Sequence, residues 1–220
     1  MNSFINIILL LVSMLTLFFS VFVRFDLPLE MFKTTASQLP FRFEIFLGFG
    51  LMLMMISARR TIRRWVAIRM VIQTEKFKWS GKISGSRRQR VIVYTMLESV
   101  IICLIGLTFI ILTSEAWFPA TVMLFFGIEG SIYLLINSKN NFRVGLSSKA
   151  ILAVDREVIL LYMEGLRQVS ISQQTIYFDY INELQLSFPT DCINESERTD
   201  FFENLKQSVN QDKVLFRINE

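Results

Sequence analysis

Histidine is absent from all 220 residues. Its absence removes the commonest metal ligand and the commonest general base. No paired nucleophile and base stands elsewhere in the chain, so a conventional enzyme is disfavoured, and an intramembrane one with it. The sequence therefore assigns no catalytic, cofactor-binding or metal-binding residue. Cysteine is scarce: Cys103 lies inside an apolar run and Cys192 in the polar C-terminal third. Two unrelated thiols do not make a disulfide framework, and both are expected to be buried or inert. The third scarcity is local. Charge is almost missing from four stretches before residue 138.

Those stretches hold most of the apolar residues, which make up 52% of the chain and include 21 Phe. Phe4–Val23 is uncharged and long enough, at about 1.5 Å per residue, to span a hydrocarbon core. A signal peptide is the alternative. The start Met-Asn-Ser-Phe lacks a basic residue, and no small-residue cleavage site precedes Arg24, so a retained helix is expected. Residues 24–42 form a polar connection. Ile45–Ala58 is uncharged but short, and Phe43 with a snorkelling Glu44 extends it to 43–58. The third span is 91–113 and the fourth 117–137, each with one charge, Glu98 and Glu129. Ser114-Glu115-Ala116 joins them tightly, and Trp117 and Phe118 are placed as interfacial anchors.

The net charge of +4 hides a concentration. Arg59, Arg60, Arg63, Arg64, Arg69, Lys76, Lys78, Lys82, Arg87, Arg88 and Arg90 all fall in residues 59–90, where Glu75 is the only acid. The arginines at 59, 60, 63 and 64 share a helical face, and Ile62, Trp65 and Val66 lie on another. The second helix is thus expected to continue as a basic amphipathic stem, followed by a flexible turn at Ser80–Ser86. The excess of basic residues marks this loop as cytoplasmic, and four spans then put both termini on the same side. The expected setting is a multi-pass protein of a bacterial cytoplasmic (inner) membrane.

From residue 139 the pattern shifts to short apolar runs. Ala150–Val154, Val158–Met163, Leu166–Ile171, Thr175–Ile181 and Leu184–Phe188 have strand length and are separated by polar turns. Val169 and Ile171 alternate with Ser170 and Ser172; Leu184, Leu186 and Phe188 alternate with Gln185 and Ser187. Period-two alternation indicates an antiparallel sheet with one buried face. Glu195–Val209 carries Phe201, Phe202, Leu205 and Val209 on one side of a helix, and Val214–Ile218 forms a last strand. The fold expected is a four-helix membrane domain over residues 1–138, with the basic loop 59–90, and a small α+β cytoplasmic domain over 139–220. The order of elements from Phe142 to Val209, a strand meander and then one amphipathic helix, resembles the bacterial pleckstrin-homology-like domains that hang beneath membrane helices. That resemblance implies a fold and carries no site, because function does not follow from fold.

Glu98 and Glu129 are the sharpest candidates. Carboxylates within a span are rare and face protein or water. Both lie about 10–12 Å inside the cytoplasmic edge by helix rise, beside Ser99, Gly130 and Ser131. As an intramembrane polar pair they either share a proton or a cation, or each bonds a neighbouring helix as packing glue. The basic loop serves topology first. Anionic lipid headgroups are a second partner, and nucleic acid is a disfavoured third, although Lys76-Phe77-Lys78-Trp79 interleaves aromatics with charge. The function expected is a non-enzymatic membrane sensor, adaptor or scaffold whose cytoplasmic domain binds a small ligand or a protein and whose spans localise or assemble it, the partner being a protein or a second copy of the chain. The alternative is an oligomeric channel-like effector, of a toxin or phage-defence kind, gated through that domain.

Overall fold

The computed structural model describes every residue except 1, 30–33, 140, 156–157, 173, 182, 210–213 and 220. Glu30 and Lys33 of the first connection, and the turn residues Arg156, Glu157, Gln173 and Asn182, lie outside the described residues. The chain divides into two compact units, Met1–Ile62 with Tyr94–Leu135, and Arg63–Val93 with Ile136–Glu220.

The first unit is built on helices α1 (Asn2–Arg24), α2 (Arg42–Ile72), α3 (Gly85–Leu112) and α4 (Trp117–Asn137), with α2, α3 and the end of α4 giving residues to both units. Strands β1 (Pro28–Leu29) and β2 (Thr34–Thr35) pair between α1 and α2. All four helices are long and apolar enough to cross a membrane, by length and composition. α2 runs without a break from the uncharged run through the basic stem, as the amphipathic spacing of 59–66 requires. Its 31 residues cover about 46 Å.

Val12, Phe46, Leu53, Phe109 and Met123 form the buried core of this unit. Its outside is just as apolar, with Leu10, Phe18, Met55, Ile111 and Phe125 all exposed. Three hydroxyl side chains of α1 point inward instead. Ser13, Thr16 and Ser20 are buried, and each hydroxyl donates to the carbonyl four residues back, at 2.8 Å. A line of small hydroxyls satisfied by their own helix permits close packing without an orphaned donor. α3 and α4 approach closely for the same reason. A Cβ on Gly106 would stand 3.1 Å from the Ala120 carbonyl oxygen, and one on Gly127 would stand 3.1 Å from that of Ser99. Thr113 accepts a hydrogen bond from the Glu115 amide and turns the chain through Ser114–Ala116 into α4.

The second unit contains two four-stranded sheets. The first is an antiparallel meander of β3 (Trp79–Lys82), β4 (Arg143–Leu146), β5 (Ala150–Val154) and β6 (Val158–Tyr162). The second has β7 (Leu166–Ser172), β8 (Thr175–Tyr180) and β9 (Gln185–Pro189) in antiparallel order, with β10 (Leu215–Asn219) on the outer side of β7. Helix α5 (Arg198–Ser208) follows β9 after two short 3-10 turns. Gly165, at φ +77°, turns β6 into β7, a conformation that suits a residue without a Cβ.

Three expectations change here. Residues 79–82 are a strand and not part of a flexible turn; they pair with β4 from Trp79 opposite Leu146 to Lys82 opposite Arg143. α3 then starts at Gly85, ahead of the apolar run. The sheet is also not purely antiparallel, because β10 runs parallel to β7. The compositional boundary at residue 139 accordingly leaves out the first strand of the sheet. Phe201 explains why that strand is needed. Its buried ring stands 5.0 Å from Trp79 and 6.2 Å from Phe188, so it packs against both sheets.

Candidate functional site

Polar residues of the first unit converge on consecutive positions of α2. Arg60 Nη1 lies 2.6 Å from Glu98 Oε1, an ion pair whose side chains are 20% and 21% exposed. Thr61 donates its hydroxyl to Glu129 Oε2 at 3.0 Å. Glu98 on α3 and Glu129 on α4 thus reach neighbouring residues of one helix, whose Cα atoms stand about 3.8 Å apart. Ser99 and Thr95 are buried on α3 beside them, and Ser99 donates to the Thr95 carbonyl at 2.9 Å. Gly130 packs its bare backbone against the Ser99 hydroxyl. Each carboxylate has its own partner on α2. Glu98 Oε2, the second oxygen, is buried without a hydrogen-bond partner. A second ion pair, Arg42 Nε with Glu115 Oε1 at 2.9 Å, joins the start of α2 to the turn before α4.

The eleven basic residues of 59–90 do not form one surface. Arg60 is withdrawn into the pair with Glu98. Arg64 is buried, and Arg63 donates to the Val158 carbonyl at 3.2 Å. Arg88 donates to the Lys139 carbonyl at 3.1 Å. Arg87 and Arg90 enter the cluster described next. Arg59, Arg69, Lys76, Lys78 and Lys82 are exposed. Sequence spacing put these residues on shared faces but had no means of naming the acids that claim some of them.

At the head of α3, Ser84 accepts from the Arg87 amide at 3.3 Å, a side-chain N-cap, and donates to the Asp191 carbonyl at 2.6 Å. Arg87 binds Asp155 through Nε and Nη2 at 3.0 and 2.7 Å, and Asp191 through Nη1 at 3.2 Å. Arg90 reaches Asp191 at 2.6 Å. Asp155 is only 2% exposed, so the guanidinium of Arg87 is what makes its burial tolerable. Burial opposes the charge on Arg87, and its acidic neighbours Cys192, Asp155 and Asp191 outweigh it, raising the pKa. Burial likewise pushes the Cys192 thiol up to about 12, with Asp155 and Asp191 adding to the shift. At neutral pH this thiol is protonated, which suits packing rather than nucleophilic attack. The cluster is not legible in the sequence because its bonded members lie as much as 107 residues apart.

Among the described residues no group of three or more Cys, Asp or Glu is placed to hold a metal ion. A cleft of about 780 Å³ opens in the second unit, lined by Lys149, Tyr162, Met163, Gly165, Arg167 and Val214 among others. Its size falls within the range of roughly 300–1,000 Å³ usual for small-molecule sites. Comparison with known proteins finds no matching family model, no matching curated protein and no matching solved structure, so the likeness in element order carries no function to this chain.

Proposed function

We propose that the chain is a multi-pass membrane protein acting as a non-enzymatic sensor, adaptor or scaffold. Its four apolar helices hold the small α+β unit at a cytoplasmic membrane surface, where that unit binds a ligand or partner. The observation that carries the reading is the engagement of both carboxylates by α2: Glu98 by Arg60 and Glu129 by Thr61. Polar groups tied helix to helix act as struts, a use for which bilayer helices are well suited. The two ion pairs also bound an apolar slab. Arg42 and Arg60 on α2 stand about 27 Å apart by helix rise, and a bilayer core measures about 30 Å. The exposed apolar side chains between them favour lipid as their solvent. The cleft beside Lys149 and Arg167 supports a binding role for the second unit.

The channel-like alternative retains one supporting observation, the buried and unpartnered Oε2 of Glu98, an oxygen free to accept a proton or a cation. Proteoliposomes separate the two readings. Under the scaffold reading, purified chain under a potassium or proton gradient leaks no faster than empty vesicles. A flux that Glu98→Gln or Glu129→Gln abolishes while the protein stays assembled would establish the pore instead, since Gln keeps the shape but cannot ionise. Reporter fusions after Ser84 and at Glu220 are expected on the cytoplasmic side, and one at Thr35 on the opposite side. A cytoplasmic signal at Thr35 would remove the four-span arrangement.

A further inference from the structure

We infer that the second half of α2 carries a binding face for anionic phospholipid headgroups. This rests on the membrane reading above and gives it a specific lipid partner. At about 100° per residue, Met55, Arg59, Ile62, Val66, Arg69 and Met70 fall within about 60° of one line along α2, so Arg59 shares the face of Ile62 and Val66 and not, as the spacing first suggested, that of Arg64. All six are exposed. The stripe starts as pure hydrocarbon at Met55 and continues as an alternation of apolar side chains and guanidinium groups. Such a stripe fits the boundary of a bilayer. With the hydrocarbon ending near Arg60, Ile62 stands at the acyl boundary, and Arg59 and Arg69, whose side chains lean toward the N-terminal end of the helix, present their charge to the headgroups. Lys76 and Lys78, both exposed, follow directly, and Glu75 is the only acid in residues 59–90.

A second copy of the chain fits this face less well. Two copies inserted with the same orientation and joined through these stripes would set Arg59 near Arg59 and Arg69 near Arg69. Facing like charges oppose association. Anionic phosphate supplies the opposite sign and accepts from a guanidinium in its preferred forked geometry. The inference is also separable from topology. Neutralising Arg59 and Arg69 leaves most of the basic residues of 59–90 in place, and with them the orientation signal.

The test uses the full chain in vesicles, with a fluorophore attached at Ile62→Cys in a Cys103→Ala background; Cys192 is buried. Quenching is compared between brominated phosphatidylglycerol and brominated phosphatidylcholine at equal mole fraction. The anionic lipid is expected to quench at markedly lower mole fraction, with a preference of about fivefold per arginine. Arg59→Gln with Arg69→Gln is expected to bring the two lipids to parity. Equal quenching by both lipids without those substitutions would overturn the inference. So would an unchanged preference in the double variant. Loss of the preference in excess inorganic phosphate would identify a phosphate site in place of a lipid one. Quenching by neither lipid, in a chain that resists alkaline carbonate extraction, would mean that protein covers the face. Extraction of the chain by carbonate would instead sink the membrane reading itself.

Discussion

Replacing Glu98 by Leu is expected to destabilise the helical unit by about 3 kcal/mol, near the lower end of the cost of orphaning a buried charge. Arg60 would be left against apolar neighbours, in a place where only a fifth of its side chain meets solvent. A guanidinium cannot escape by losing its proton. Arg60→Gln is expected to cost less, because the glutamine amide still donates a hydrogen bond to the carboxylate. The double variant Arg60→Met with Glu98→Leu removes both charges and is expected to recover most of the loss, giving a coupling of about 2 kcal/mol between the sites. Thermal unfolding in a mild detergent measures all of this. Strictly additive single and double variants would mean that the 2.6 Å contact contributes nothing by itself. A matched set at Thr61 and Glu129 is expected to show a smaller coupling, since a neutral hydroxyl there leaves no stranded cation.

The contrast between those two carboxylates marks a boundary of what a sequence discloses. The placement of Glu98 and Glu129 within apolar helical runs is legible from spacing alone, because an uncharged run of helical length leaves few other places for them. That Glu98 would meet Arg60 is not legible. Arg60 is one of four arginines within six residues, and which of them turns inward depends on the rotation of α2 against α3. The strands behave similarly. Ala150–Val154 is a strand with the bounds expected, and Leu166–Ser172 and Thr175–Tyr180 differ from expectation by one residue at an end. Leu166–Ser172 and Thr175–Tyr180 carry their own alternation, and Ala150–Val154 is a short, wholly apolar run of strand length, so local pattern and fold agree. β3 has no such pattern. Ser80 and Gly81 are turn-forming residues, and only pairing with β4, 63 residues on, makes them a strand. The parallel contact of β10 with β7 is equally non-local, since nothing in Leu215–Asn219 states the direction of its neighbour.

The largest structural consequence of β3 is that residues 139–220 alone should fail to fold cooperatively. Without Trp79–Lys82, strand β4 loses its hydrogen-bonding partner along four residues and becomes an open edge. Phe201 loses the indole packed 5.0 Å away, and the bare backbone of Gly145 loses the Phe77 ring that lies over it. The remedy follows from the register. Trp79 pairs with Leu146 and Lys82 with Arg143, so the next rung sets Ile83 opposite Phe142, and the Ile83 amide does donate to the Phe142 carbonyl at 3.2 Å. Asn-Gly inserted between Ile83 and Phe142 would close that rung as a two-residue hairpin, whose twist matches the flanking strands. The chimera, 76–83 joined through Asn-Gly to 142–220, is expected to give a β-rich circular dichroism spectrum and a single thermal transition. Residues 139–220 alone are expected to give neither. Trp79→Ala in the full chain is expected to cost the second unit about 3 kcal/mol, a value usual for truncating a packed Trp, and to abolish the transition of the chimera. The chimera lacks Arg87 and Arg90, so Asp155 and Asp191 stand without their cations. It therefore forgoes these ion pairs and is expected to melt below the second unit of the full chain. A cooperative transition from 139–220 without the grafted strand would show that β3 is an accessory of this sheet and that the compositional boundary marks a complete domain.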